Sequence, residues 1–238
     1  MDRPVSGISG QFRSVLLFFL AIDICFILIH GVGWATFRLG WTEEVSTAFR
    51  ITDDRSFPES FNYLKWAILV CALGWMSLRD RWLIALLWAL VFLIVLLDDS
   101  LQIHESFGLM IADHLSLVDE GGALDPADVG ELLYAAIMGG LVATMLAAAV
   151  LRADATSRRL TQVLTLVLVA FGFFSVVVDA VHRVAINAYP QLGFMQDLFA
   201  MIEESGEMFV ASTAAALILA PPLWLALSRP AQEEVRST

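Results

Sequence analysis

Apolar stretches recur along this chain at lengths suited to a bilayer rather than to a globular core. A spanning helix needs about 20 mostly apolar residues. Six segments meet that requirement, at roughly 14–36, 61–78, 82–105, 131–151, 160–187 and 195–227. The first, fifth and sixth are interrupted by polar residues, and Pro221 and Pro222 predict a kink or an early exit late in the sixth. No soluble domain and no repeat is visible between them. The pattern therefore predicts an all-α fold, with 1–238 forming a single integral-membrane helical bundle of about six transmembrane helices.

The links between these segments predict an orientation. With the N-terminus inside, the cytoplasmic segments carry nine arginines, against Arg38, Arg50, Arg55, Lys65 and Arg183 in the outer ones. The excess of basic residues on the cytoplasmic side favours an N-in, C-in arrangement. Trp34, Trp41 and Trp66 then fall at the outer interface, and Trp75, Trp82 and Trp224 at the inner one. The link from Asp113 to Glu131 is acidic, has no Lys or Arg, and lies outside. Its Asp119-Glu120-Gly121-Gly122 and Asp125 lack the aspartate spacing of an EF-hand, so a solvated loop is the simpler reading.

Composition agrees and narrows the function. Hydrophobic residues make up 58% of the 238 and charged residues 16%, too little polar surface for a soluble domain of this size. The formal net charge of −11 excludes nucleic acid as a partner and leaves the lipid bilayer as the expected surroundings. The expected location is a bacterial inner membrane, crossed several times. The N-terminal apolar run is too long for the core of a signal peptide and carries Asp23, so it is read as a retained first helix. Cys25 and Cys71 offer neither a disulfide framework nor zinc spacing.

Charged groups within spans are costly and need a partner or a purpose. Here they gather. Asp98, Asp99, His104 and Glu105 end the third segment; Asp179 and His182 lie in the fifth; Glu203, Glu204 and Glu207 open the sixth. In the predicted topology all nine fall in the outer half. A continuous third helix would put Asp98, Gln102 and Glu105 on one face, with Asp98 and Glu105 roughly 10 Å apart along the axis. That predicts a deep group of Asp98, Asp99 and Gln102, and a separate shallow group of His104 and Glu105. Asp179 and His182 share a face at i, i+3, and counting back from the turn near Pro190 brings Asp179 level with Glu203 or Glu204.

Carboxylates and imidazoles offered from several helices suit a divalent metal: zinc, iron or manganese. Asp179-x-x-His182 is a shorter relative of the Glu-x-x-His pairs of di-metal bundles. Water on such an ion becomes a nucleophile, with a free glutamate as general base. Plainer readings stand beside this one. Asp179 and Arg183 are an i, i+4 ion pair, His30 is a hydrogen-bonded core histidine, and Asp23 bonds a neighbouring helix or relays protons. The small-residue face of Ala135, Ala136, Gly139, Gly140, Ala143 and Ala147 is a helix-packing surface.

The motifs Asp98-Asp99-x-x-x-x-His104-Glu105 and Glu203-Glu204-x-x-Glu207-Met208, with a polar loop from Ile51 to Lys65, resemble a group of uncharacterised bacterial inner-membrane proteins. Asp99 departs from that pattern, where the group carries a glutamate. The resemblance implies a polytopic membrane protein and brings no activity with it. Two functions remain open on the sequence: a metal-dependent membrane enzyme, or a cation or proton transporter using the same carboxylates. A structural or assembly role is a third. A haem site built on His104 and His182 is disfavoured by the surrounding acids.

Overall fold

The computed structural model describes residues 5–117, 124–151, 153–189, 191 and 193–220. Among these there is no strand. The helices are α1 (Val5–Arg38), α2 (Phe57–Asp80), α3 (Leu83–Ser100), α4 (Ile103–His114), α5 (Pro126–Val150), α6 (Ala155–Gly172), α7 (Asp179–Ala188) and α8 (Gly193–Leu219). A π-helical segment, Phe173–Val178, joins α6 to α7 without a break. Asp119 to Gly122 and Pro221, Pro222 and Trp224 lie outside the described residues.

Among the described residues, five helical stretches are long and apolar enough to cross a membrane: Gly10–Arg38, Phe57–Asp80, Leu83–Ser100, Pro126–Val150 and Ala155–Ala188. The expected sixth segment is also one long helix, α8, with Glu203, Glu204 and Glu207 in its first half. The outside of the bundle is apolar. Leu17, Phe18, Leu78 and Leu166 are each more than 60% exposed, which a protein in water would not tolerate over so wide a surface.

The core lies where α2, α3, α6 and α8 meet, around Trp66, Leu69, Trp88, Phe92, Leu164 and Ala214. Helix α8 is central. Ala211, Ser212, Ala214, Ala215 and Ala216 are fully buried, and their small side chains let the neighbouring helices close in. The close packing expected of the small face of α5 is thus found on α8 instead. On α5, Gly139 and Gly140 face open space within 4 Å of where a side chain would begin. Trp66, expected at the interface, is completely buried and stacks on Phe92.

Lys65 is also placed differently from the expectation. It is not in an outer loop but two turns into α2, with no exposed side-chain surface. Its ammonium donates to Asp23 Oδ1 at 2.9 Å, to the Met208 carbonyl at 3.0 Å and to Ser212 Oγ at 3.2 Å. Ser212 donates in turn to Asp23 Oδ2 at 2.5 Å. All three ammonium protons are used, and one cation ties α1, α2 and α8 together. His30 is a buried histidine whose Nδ1 accepts the Ile51 N–H at 3.2 Å. It plays the plain structural part.

The third predicted span is broken. Gln102 adopts φ 52° and ψ 44°, in the left-handed region, between α3 and α4. This turns the chain so that α4 lies along the start of α5, where Gly108 meets Gly130 so closely that a Cβ on either would strike backbone or the Glu131 side chain. Phe107, Leu109 and Met110 on α4 stay exposed, as suits a helix lying at a membrane surface.

Two predictions follow from these contacts. Breaking the buried pair with Asp23→Leu strands the Lys65 ammonium, and should cost about 3–5 kcal/mol. Adding Lys65→Met should recover most of that loss in thermal unfolding of the detergent-solubilised protein. Additive losses in the double variant would show that the two groups are not coupled. The second concerns Asp154, which caps α6 by accepting the Ser157 N–H at 3.1 Å, a bond that holds its carboxyl below the ordinary carboxylate value. The stabilisation is present at neutral pH and is lost as pH falls through that depressed value. Asp154→Ala should cost about 1 kcal/mol at pH 7, and the gap from wild type should close in acid.

Candidate functional site

The chain break at Gln102 builds one side of the site. It brings His104 Nδ1 to 3.4 Å from Asp98 Oδ2, while Tyr134 of α5 donates to Asp98 Oδ1 at 2.9 Å. The hydrogen bond to Asp98 raises the affinity of His104 for its proton above that of an ordinary imidazole, against the opposing effect of burial. Gln102 itself donates to Asp54 at 2.6 Å and lies 3.4 Å from Glu105. The expected separation of a deep from a shallow group does not hold, because the left-handed turn folds the shallow residues back toward the deep ones.

The π segment builds the other side. Its wider turn re-aims the residues that follow, and Phe174 within it seats against Gly206 of α8, where any side chain would collide with the ring. With the two elements held this close, Asp179, His182 and Glu203 each offer a ligand atom within 4.8 Å of the other two. His182 Nδ1 is 3.3 Å from Glu203 Oε2, and its ring stacks on Phe199. The expected Asp179–Arg183 ion pair is present at 3.1 Å, and Arg183 also reaches Asp128 at 3.5 Å. One arginine thus neutralises part of two carboxylates.

Between these sides lies a cavity of about 510 Å³, within the size range of small-molecule sites. Eight of the nine residues singled out from sequence line it: Asp98, Asp99, His104, Glu105, Asp179, Glu203, Glu204 and Glu207. His182 stands beside it, behind Glu203. Among the described residues, twelve of those lining it are carboxylates, and the only basic ones are Arg183 and His104. Within the reach of a membrane interior, such an array needs protons or cations to balance it.

Several contributors escaped the sequence reading. Glu59 sits in the first turn of α2, where it accepts from the backbone N–H of Arg55 and from the Tyr63 hydroxyl. Asp54, Asp128, Glu131 and Asn62 also line the cavity. Glu131 was visible only as the end of an acidic loop. Glu59 and Asn62, i and i+3 on one helix face, could have been noticed from spacing alone. Asn62 is 4% exposed and its Oδ1 has no hydrogen-bond partner. Among the described residues, Glu204 and Glu207 likewise accept no hydrogen bond and make no ion pair, although each faces other carboxylates, Asp99 among them. Both glutamates line the cavity, so their free lone pairs face a shared space.

An all-α bundle with membrane-spanning helices and an acid-lined internal cavity is therefore the class of this protein. The family is shown by sequence: residues 59–220, more than half of the chain, match the model of a domain of unknown function (DUF8692), and the chain belongs to that family. The matched range begins at Glu59 and contains every site residue predicted from sequence. No curated protein and no solved structure matches the chain.

Proposed function

We propose that this protein binds divalent metal within the membrane, and that the cavity between α2, α3, α5, α7 and α8 is a metal-dependent reaction centre. The observation that carries the reading is the convergence of Asp179, His182 and Glu203 within 4.8 Å, beside the unpartnered carboxylates Glu204 and Glu207. A mixed carboxylate and imidazole set favours zinc, iron or manganese.

In this reading Asp179, His182 and Glu203 hold one ion. Asp99, Glu204 and Glu207 have the chemistry to hold or share a second. A metal held by these residues would supply Lewis acidity toward an oxygen ligand, and a carboxylate left free of it would be the group to accept a proton. His104, oriented by Asp98 and Tyr134, is placed as a second proton carrier at the cavity wall. With the N-terminus inside, the centre opens to the outer leaflet. The transporter reading gains no support at the floor of the site, where the Lys65–Asp23–Ser212 cluster is saturated with its own hydrogen bonds.

The test is elemental mass spectrometry on detergent-purified protein prepared without chelator. Wild type should carry one or two zinc, iron or manganese ions per chain. An Asp179→Asn/Glu203→Gln/Glu204→Gln variant, close in shape and eluting at the same volume, should lose them. Wild type that stays metal-free after incubation with each of these ions would overturn the reading.

A further inference from the structure

The cavity is not acidic throughout. On α3 its lining passes from Asp98 to Val91, on α5 from Glu131 to Met138 and Val142, and along α7, the π segment and α6 from Asp179 to Phe171 and Leu168. All three walls change from acid to apolar in the same direction, because α5 runs antiparallel to α3 and α6. From Glu131 to Val142 the apolar descent covers about 16 Å of helix. That is close to one leaflet, half of a hydrocarbon core about 30 Å thick.

The slot also has a side opening. Helix α5 packs along α4 but meets α3 and α6 at only a few positions, leaving most of its length uncovered. Gly139 lines the cavity, and a side chain there would meet nothing within 4 Å. A space that is polar at the membrane surface, apolar for the depth of one leaflet and open toward the bilayer matches the polarity of a lipid along its own length.

We infer that the cavity takes one membrane phospholipid, with an acyl chain along the α3–α5–α6 slot and the phosphate at the acidic end. The inference rests on the metal reading above. Twelve carboxylates alone would repel a phosphate, so the phosphate must meet the bound metal, with Arg183 beside it. The site's substrate class is then a phospholipid or its single-chain derivative, presented from within the membrane rather than from water.

Lauroyl lysophosphatidic acid serves as the probe, and native mass spectrometry of the full chain in maltoside detergent reads metal and lipid on the same particles. Manganese-loaded wild type should retain one lipid, and EDTA treatment should release it. Gly139→Leu, whose side chain enters the slot rather than a neighbouring helix, should keep its metal and weaken lipid binding about tenfold or more. Gly140→Leu, adjacent but outside the cavity lining, should keep both. Metal retained in wild type without lipid, or lipid bound equally by Gly139→Leu, would overturn this inference and leave the metal reading standing. Lipid that survives EDTA would overturn the metal-bridged headgroup, and equal binding of an amine-headed lauroyl lipid would do the same. Absence of metal from wild type would instead bring down the reading on which the inference depends.

Discussion

A single buried ammonium sets the register of this bundle. Lys65 has Asp23, Ser212 and the Met208 carbonyl as partners, drawn from α1 and α8. A charge desolvated this completely holds its partners tightly, because each lost contact leaves an uncompensated ion. The register has consequences one turn away. Asn62 and Glu59 lie one and two turns earlier on α2, and Glu204 and Glu207 just before Met208 on α8. Fixing Lys65 against Met208 therefore brings the acidic turns of both helices face to face. The polar hub forms the floor on which the cavity stands.

Above that floor the balance of charge is deliberately unfinished. The protein supplies many acceptors and fewer donors, among them Tyr134 for Asp98, Tyr63 for Glu59, Gln102 for Asp54, Arg50 for Asp53, and Arg183 divided between Asp179 and Asp128. Were the role only to hold helices together, each acid would be expected to face a donor, as Asp23 does. The contrast between a saturated cluster below and an open one above separates a structural polar network from the acids on which the metal proposal rests. The lower cluster balances one aspartate with a lysine and a serine, whereas the upper one gathers carboxylates with few donors among them.

How much of this could be read beforehand depends on what each residue's neighbours in sequence reveal. Span length and hydropathy sufficed for the helices, and the i, i+3 spacing of Asp179 and His182, with the turn near Pro190, sufficed to bring them to Glu203. The break at Gln102 could not be seen, since a non-glycine residue in the left-handed region has no compositional mark. Its cost was a mistaken separation of His104 from Asp98. Lys65 was misplaced because a lone lysine near a helix start usually belongs to the interface; its burial depends on Asp23, 42 residues earlier. Glycine pairs on α5 promised a packing face, but whether a small face is covered is a property of the whole bundle. The motif resemblance did point to the Ile51–Lys65 loop, where Asp54, Glu59 and Asn62 proved to reach the cavity.

The π segment between α6 and α7 has one more consequence. A turn with wider hydrogen bonding holds, in effect, one residue more than a regular helix would place there. Everything beyond it is rotated by about 100° relative to an uninterrupted helix. Asp179 and His182 face α8 because of that surplus residue, whichever of the six positions is regarded as the extra one. The segment thus sets the direction of the site by its length: a deletion anywhere within Phe173–Val178 would swing the acid and the imidazole together toward a different neighbour, while Phe174 sets how closely α8 approaches. In this part of the chain the number of residues fixes where the ligands point, and one aromatic ring fixes how near their partner helix comes.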